Sequence, residues 1–268
     1  MLEFYQNLPS KIDPIAMSVG SFSIYWYSLM YLIGFVVIAL LLYWRVYKKE
    51  TDIVWDDIFD FLINSFLAII MGARFGYVLF YNFNYFLDNP LEIIWPFDSI
   101  GEFTGIYGMS YHGAVIGFVA VTYFFCKKRK INFLKLTDFV LPAVSLGYFF
   151  GRVGNFLNGE LYGRVTTSKW GINFGDGLLR HPSQLYEAFF EGIILFLILW
   201  LLRNKLIGKA GLISGLYLAG YGIIRFAVEF FREPDVQIGF VINILTMGQI
   251  LSLFMITAGL YLINKKFK

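Results

Sequence analysis

Seven stretches of this chain are each apolar enough, and about long enough, to cross a bilayer. That feature constrains the fold more than any other. A span needs about 20 mainly apolar residues to cross about 30 Å of hydrocarbon. The stretches are Ile24–Tyr43, Ile58–Tyr81, Met109–Cys126, Phe139–Phe156, Tyr186–Leu202, Leu212–Phe231 and Val241–Ile263. The fourth and fifth are the least continuous, being short and interrupted by Gly or Glu. Only 15% of the 268 residues are charged and 58% are hydrophobic. A soluble domain carries about 25% charged residues to hydrate its surface, so this chain is built to face lipid. The expected fold is all-α: a polytopic membrane protein with seven transmembrane helices in a single domain, residues 1–268. Met1 to Gly20 mixes Glu3, Lys11, Asp13 and two prolines. It has no basic n-region followed by an apolar core, so the first apolar stretch is expected to be retained as an anchor.

Basic residues orient the spans. Arg45, Lys48 and Lys49 follow the first. Lys127, Lys128, Arg129, Lys130 and Lys135 follow the third. Arg203, Lys205 and Lys209 follow the fifth, and Lys265, Lys266 and Lys268 follow the seventh. Fourteen of the 22 Lys and Arg residues thus lie in four alternate segments, whereas the loop 82–108 holds Asp88, Glu92, Asp98 and Glu102 but no Lys or Arg. The positive-inside rule then places the N-terminus outside and the C-terminus in the cytoplasm. Outer-face segments are expected at 1–21, 82–108 and 157–185. Within them, Tyr5–Gly20 and Phe83–Phe97 are aromatic-rich and contain proline. Both read either as ordinary loops with interfacial anchors or as elements gating entry.

Ionisable residues inside spans cost about 2.5–3.5 kcal/mol each on insertion scales and are default candidates for function. Given this topology, they converge on one leaflet. Tyr27 starts the first span, Arg74 lies in the outer half of the second, and His112 opens the third. Arg152, Asn155, Asn158 and Glu160 end or follow the fourth. Glu187 and Glu191 begin the fifth, and Arg225, Glu229 and Arg232 end the sixth. The competing reading is that each side chain snorkels to the headgroups, which suits Arg232 and Glu191 but not the full set.

Arg225, Glu229 and Arg232 are spaced i, i+4, i+7 and so share one helix face. They read either as an intrahelical salt-bridge ladder or, with Arg152, as a phosphate site, because guanidinium matches phosphate oxygens in a bidentate fork. His112 is a candidate general base, with a structural histidine bonded to a carbonyl as the alternative. Cys126, the single cysteine, lies beside Lys127 at the opposite end of its span and is a poor nucleophile candidate. Two distant histidines, no HExxH and no cysteine cluster leave no metal constellation, and Gly151-Arg152-Val153-Gly154 lacks the GK[ST] ending of a P-loop. No cofactor is expected.

The run Gly151-Arg152-Val153-Gly154-Asn155-Phe156-Leu157-Asn158-Gly159-Glu160-Leu161-Tyr162-Gly163-Arg164 resembles the signature of the prolipoprotein diacylglyceryl transferases, of the form GRxGNFxNxExxG. Further blocks resemble the same family in the same order. They are Trp26-Tyr27 with Met30-Tyr31, Gly72–Tyr77, Ser110-Tyr111-His112-Gly113, His181–Glu187 and Arg225–Asp235. Ala114 departs from the pattern, which usually has a second glycine after the histidine. The resemblance implies transfer of the diacylglyceryl group of phosphatidylglycerol to the lipobox cysteine of a prolipoprotein signal peptide at the bacterial inner membrane. A thioether forms, glycerol phosphate leaves, and no nucleic acid takes part.

By the same resemblance, His112 is the base or proton shuttle, and Arg152 and Arg225 are the phosphate clamps. Glu187 and Glu229 orient those arginines. Tyr27, Asn155, Asn158, Glu160 and Gly163 complete the headgroup site, supported by Arg232 and Arg74. The rival reading is an anion or lipid transporter with a basic outer-leaflet cavity. A transporter is expected to show an internal repeat and helices broken at mid-membrane.

Overall fold

The structure, a computed structural model, describes residues 2–19, 22–95, 108–234, 240–241 and 245–267. Asp98, Glu102 and Asp235 of the segments discussed above lie outside the described residues. The chain divides into two compact units, one formed by Met1–Thr51 with Thr137–Lys268 and the other by Asp52–Leu136.

In the first unit, a short helix α1 (Leu2–Gln6) leads to a hairpin of β1 (Ile15–Val19) and β2 (Phe22–Tyr25). The long apolar helix α2 (Trp26–Tyr47) follows. In the second unit, α3 (Trp55–Tyr81) carries Asp56 and Asp57 in its first turn, where carboxylates complement the helix dipole. The short α4 (Phe83–Asp88) comes next, and then α5 (Tyr111–Arg129). Ser110 caps α5, its hydroxyl accepting the Gly113 N–H at 3.2 Å, and Lys127, Lys128 and Arg129 occupy the last turn. α3 and α5 touch backbone to backbone: a Cβ on Gly113 would sit 2.2 Å from the Gly72 carbonyl oxygen. Small residues permit this approach, the usual means of joining helices in lipid.

α6 (Phe133–Leu157) carries the signature arginine near its end. After it come a two-stranded piece, β3 (Ile172–Asn173) with β4 (Leu179–Arg180), and the helix α7 (Ser183–Glu187). α7 continues through a π-helical stretch, Ala188–Ile194, into α8 (Leu195–Leu202). α9 (Leu212–Val228) starts where the Asp138 carboxylate accepts the N–H groups of Gly211 and Ser214 at 2.5 and 2.7 Å, satisfying donors that a helix start leaves unpaired. A last hairpin, β5 (Phe240–Val241) with β6 (Leu245–Thr246), precedes α10 (Met247–Phe267).

The described residues are mostly helical and include three small antiparallel hairpins that the all-α expectation did not include. Among the described residues, five helical stretches are long and apolar enough to cross a membrane: Trp26–Tyr47, Trp55–Tyr81, Phe133–Leu157, Ser183–Leu206 and Met247–Lys265. The fourth and fifth apolar stretches of the sequence are among them. The third and sixth correspond to α5, which ends in three cations, and to α9, which has 17 residues. The seventh stretch begins later than its hydropathy suggested, because Val241, Leu245 and Thr246 are strand residues. Large apolar side chains face outward along the long helices, as with Leu40, Phe66 and Phe254.

At one end of the first unit, Arg45 and Arg203 converge on Glu50, with Nε–Oε2 distances of 2.7 and 3.1 Å. Arg203 also stacks 3.9 Å from the Trp200 ring centroid, and Arg45 donates to the Phe139 carbonyl. This knot ties α2, α6 and α8 together.

Candidate functional site

The site grows from Glu187, the last residue of α7. Its carboxylate is wholly buried and is met by three guanidiniums. Arg152, from α6, places Nε 3.0 Å from Oε2. Arg225, in the last turn of α9, places Nη1 3.1 Å from the same oxygen. Arg232 reaches Oε1 with Nη1 at 3.3 Å. The Tyr148 hydroxyl donates to Oε2 at 3.0 Å, and its ring lies 4.8 Å beneath the Arg152 guanidinium. Tyr148 is one helical turn before Arg152, so both face the same way. Arg225 is held a second time, by Glu229 Oε2 at 2.8 Å, and the Thr246 hydroxyl donates to Glu229 Oε1 at 2.9 Å. Three guanidiniums thus meet on Glu187, and one of them is also held by Glu229. A buried ion pair is tolerated when both charges are hydrogen-bonded, and guanidinium N–H groups beyond those pairs match the oxygens of an anionic guest.

The signature residues surround Arg152. Its Nη1 donates to Asn155 Oδ1 at 3.0 Å, and Asn155 Nδ2 donates to Glu160 Oε1 at 3.4 Å. Gln184 Nε2 donates to the Glu160 main-chain oxygen at 2.6 Å, tying this turn to α7. Asn158 Oδ1 accepts the backbone N–H of Tyr27 at 3.3 Å, so it pairs one of the otherwise unsatisfied donors at the start of α2. The Tyr27 ring rests 4.6 Å from that of Tyr31.

Gly163 belongs to a backbone clasp. Its N–H donates to the His181 carbonyl at 2.8 Å, and the Arg164 N–H donates to the Phe231 carbonyl at 2.9 Å. A Cβ on Gly163 would lie 2.3 Å from Phe231 O and 2.7 Å from His181 O, both backbone atoms, so only glycine fits. The clasp sets Arg232, which pairs with Gly163 as an isolated bridge. His181 packs against Phe231 and shares a 3.3 Å hydrogen bond with the Tyr186 hydroxyl, and burial pushes its pKa below the ordinary histidine value.

Arg232 does not continue the helix face of Arg225 and Glu229, because α9 ends at Val228; it reaches Glu187 from the clasp instead. Nor do Arg232 and Glu191 snorkel. Arg232 pairs with Glu187, and Glu191 is 1% exposed on the π-helical stretch. Both Glu191 carboxylate oxygens are buried near the Tyr148 hydroxyl, which donates to Glu187. Tyr148, Gln184 and Thr246 were not singled out from sequence. Only the i−4 spacing of Tyr148 from Arg152 carried a signal.

Arg74 and His112 belong to the second unit. Arg74 donates to three backbone carbonyls: Nε to Ile93 at 2.7 Å, Nη2 to Glu92 at 2.5 Å and Nη1 to Gly108 at 3.3 Å. Its guanidinium lies over the Phe86 ring, and the whole arrangement organises the segment after α4. His112 is exposed on the first turn of α5, edge-on to Tyr111 with ring centroids 6.0 Å apart. It is therefore not the buried, carbonyl-bonded histidine of the alternative reading. Among the described residues no group of three or more His, Cys, Asp or Glu is placed to hold a metal ion.

The family model for prolipoprotein diacylglyceryl transferases matches residues 14–264. The chain belongs to the prolipoprotein diacylglyceryl transferase family. It is 46% identical over 271 residues to a phosphatidylglycerol–prolipoprotein diacylglyceryl transferase of Chlorobaculum tepidum, covering 97% of this chain and 93% of that protein. Proteins of the same description from Rickettsia bellii and Rickettsia typhi are 47% and 48% identical, covering 95% and 94% of this chain and 95% and 96% of theirs. The prolipoprotein diacylglyceryl transferase signature therefore coincides with the turn that carries Arg152 and Asn155 into the cluster.

Proposed function

We propose that this chain transfers the diacylglyceryl group of phosphatidylglycerol to the thiol of a prolipoprotein's lipobox cysteine. The observation that carries the proposal is the shared grip of Arg152, Arg225 and Arg232 on the buried carboxylate of Glu187. A guanidinium has five N–H donors, more than these pairs consume, and those of Arg152 and Arg225 are oriented before the lipid arrives. Electrostatic groups fixed in advance stabilise charge as it develops, without reorganising during the reaction.

In the reaction, the sulfur of the substrate cysteine forms a bond to the carbon of the diacylated glycerol that carries the phosphate ester. The C–O bond breaks, its electron pair leaves on the phosphate oxygen, and glycerol phosphate departs. Arg152 and Arg225 receive that charge. Arg232, Glu187, Glu229 and Tyr148 hold the two arginines in register, and Asn155 and Glu160 fix the flank of Arg152. Tyr27, Asn158 and Gly163 shape the surrounding backbone, and Arg74 orders the segment after α4. A free cysteine thiol is mostly protonated near neutral pH, so a base is needed. His112, exposed at the start of α5, is assigned that role on its sequence block and on the charge pattern of the loops.

The same charge pattern supports seven crossings, an outer N-terminus and a cytoplasmic C-terminus. We assign the protein to the bacterial inner membrane as one membrane domain. Segments 1–21, 82–108 and 157–185 lie on its outer face, and the site is open to the outer leaflet.

The test is donor dependence. In vesicles containing phosphatidylglycerol and a lipobox peptide, glycerol phosphate is expected to be released in step with peptide modification. In vesicles of phosphatidylcholine alone, release is expected to stop. Equal turnover with the neutral lipid removes the proposal.

A further inference from the structure

Arg225 depends on Glu229, and Glu229 stands just past the end of its own helix. α9 ends at Val228, and the chain then leaves in tight turns, with Phe230 N–H to Ala227 O at 3.4 Å and Phe231 N–H to Val228 O at 2.9 Å. Glu229 itself caps α9, its N–H still bonded to Arg225 O at 3.0 Å, and its carboxylate is seated by the start of α10. The Thr246 hydroxyl donates to Glu229 Oε1 at 2.9 Å and accepts the Gln249 N–H at 3.2 Å. In return, Gln249 Oε1 accepts the Thr246 N–H at 3.1 Å, completing a reciprocal cap of the Thr-x-x-Gln type. Between them lies Gly248. A Cβ there would be 2.8 Å from Glu229 Cδ, 2.8 Å from Oε1 and 2.9 Å from Oε2. The carboxylate thus lies flat against the first turn of α10, where the helix dipole favours negative charge. Thr246, Gln249 and Glu229 are each under 5% exposed.

We propose that Thr246, Gly248 and Gln249 are positioning residues for diacylglyceryl transfer. The cap they build at the start of α10 seats Glu229, and Glu229 sets the Arg225 guanidinium for the donor phosphate. This rests on the functional reading above and extends it to a helix that carries none of the signature residues. The methyl of Gly248→Ala would meet the mobile end of the Glu229 side chain rather than backbone, so the carboxylate yields while the helix stays. Thr246→Val keeps the shape and removes the hydroxyl, and Thr246→Ser keeps the hydroxyl.

The experiment is steady-state kinetics of full-length protein in phosphatidylglycerol vesicles with a lipobox peptide. Gly248→Ala and Thr246→Val are expected to raise KM for phosphatidylglycerol about tenfold, the scale of one hydrogen bond to a charged group, with KM for the peptide unchanged. Thr246→Ser is expected to restore wild-type KM. Gly248→Ala added to Glu229→Gln is expected to cost nothing further, since both act through one carboxylate. Wild-type KM for the lipid in both Gly248→Ala and Thr246→Val overturns this inference alone, as do losses that multiply in the double variant. An inert wild type overturns it together with the functional reading beneath it.

Discussion

Arg152 and Arg225 place nitrogens 3.0 and 3.1 Å from the same atom, Oε2 of Glu187. They arrive on different helices, α6 and α9, and meet on a carboxylate from a third, α7. One acceptor oxygen thereby fixes the separation of two cations. A phosphate, with its several oxygens, needs just such a pre-set pair, because forks held in advance lose little freedom on binding.

Removing either fork should therefore disable transfer without unfolding the protein. Arg152→Ala and Arg225→Ala are each expected to lower kcat/KM by at least 10²-fold, the scale seen when one charge-stabilising donor is lost. Membrane insertion and detergent-extracted yield are expected to match wild type. Turnover near wild type in both variants would refute the clamp.

Glu187→Gln probes the centre of the cluster. The amide keeps the volume and removes the charge that three guanidiniums share. Breaking a buried pair from one side costs about 3–5 kcal/mol, so a lowered unfolding midpoint is expected together with lost turnover. An unchanged midpoint would mean that the three ion pairs contribute little to the fold.

Gly163→Ala tests the clasp that carries Arg232. The new methyl would meet two backbone carbonyls, of Phe231 and His181, and neither can move aside alone. Overpacking of this kind costs about 1–3 kcal/mol. Activity is expected to fall with it, measured as peptide modification. A variant as stable and active as wild type would show that the clasp is loose.

The thiol chemistry is tested by a pair of substitutions. His112→Ala is expected to abolish transfer at neutral pH and to recover part of it as the pH is raised toward the thiol's own pKa. Cys126→Ser is expected to be silent, because Cys126 is buried on α5, within a turn of the cationic end of that helix. Loss of activity in Cys126→Ser would relocate the nucleophile.

Much of this was legible because lipid makes polar residues conspicuous. Arg152, Glu187, Arg225 and Glu229 stood out as charges in apolar runs, and the i, i+4 spacing correctly paired Arg225 with Glu229. The same spacing misled at Arg232, since periodicity says nothing about where a helix stops. Tyr148, Gln184 and Thr246 were invisible for another reason. Each is an ordinary residue whose role comes from which helix faces it, and one sequence does not record that. The hairpin before α10 was hidden within a run whose hydropathy reads equally well as helix.

The most direct measurement is the mass of a lipobox peptide after incubation with purified protein and phosphatidylglycerol of defined acyl chains. The account predicts a gain equal to one diacylglyceryl group on the cysteine sulfur, absent with Arg152→Ala or Arg225→Ala. An unmodified peptide with the wild-type protein, or the same gain with both arginine variants, would contradict it.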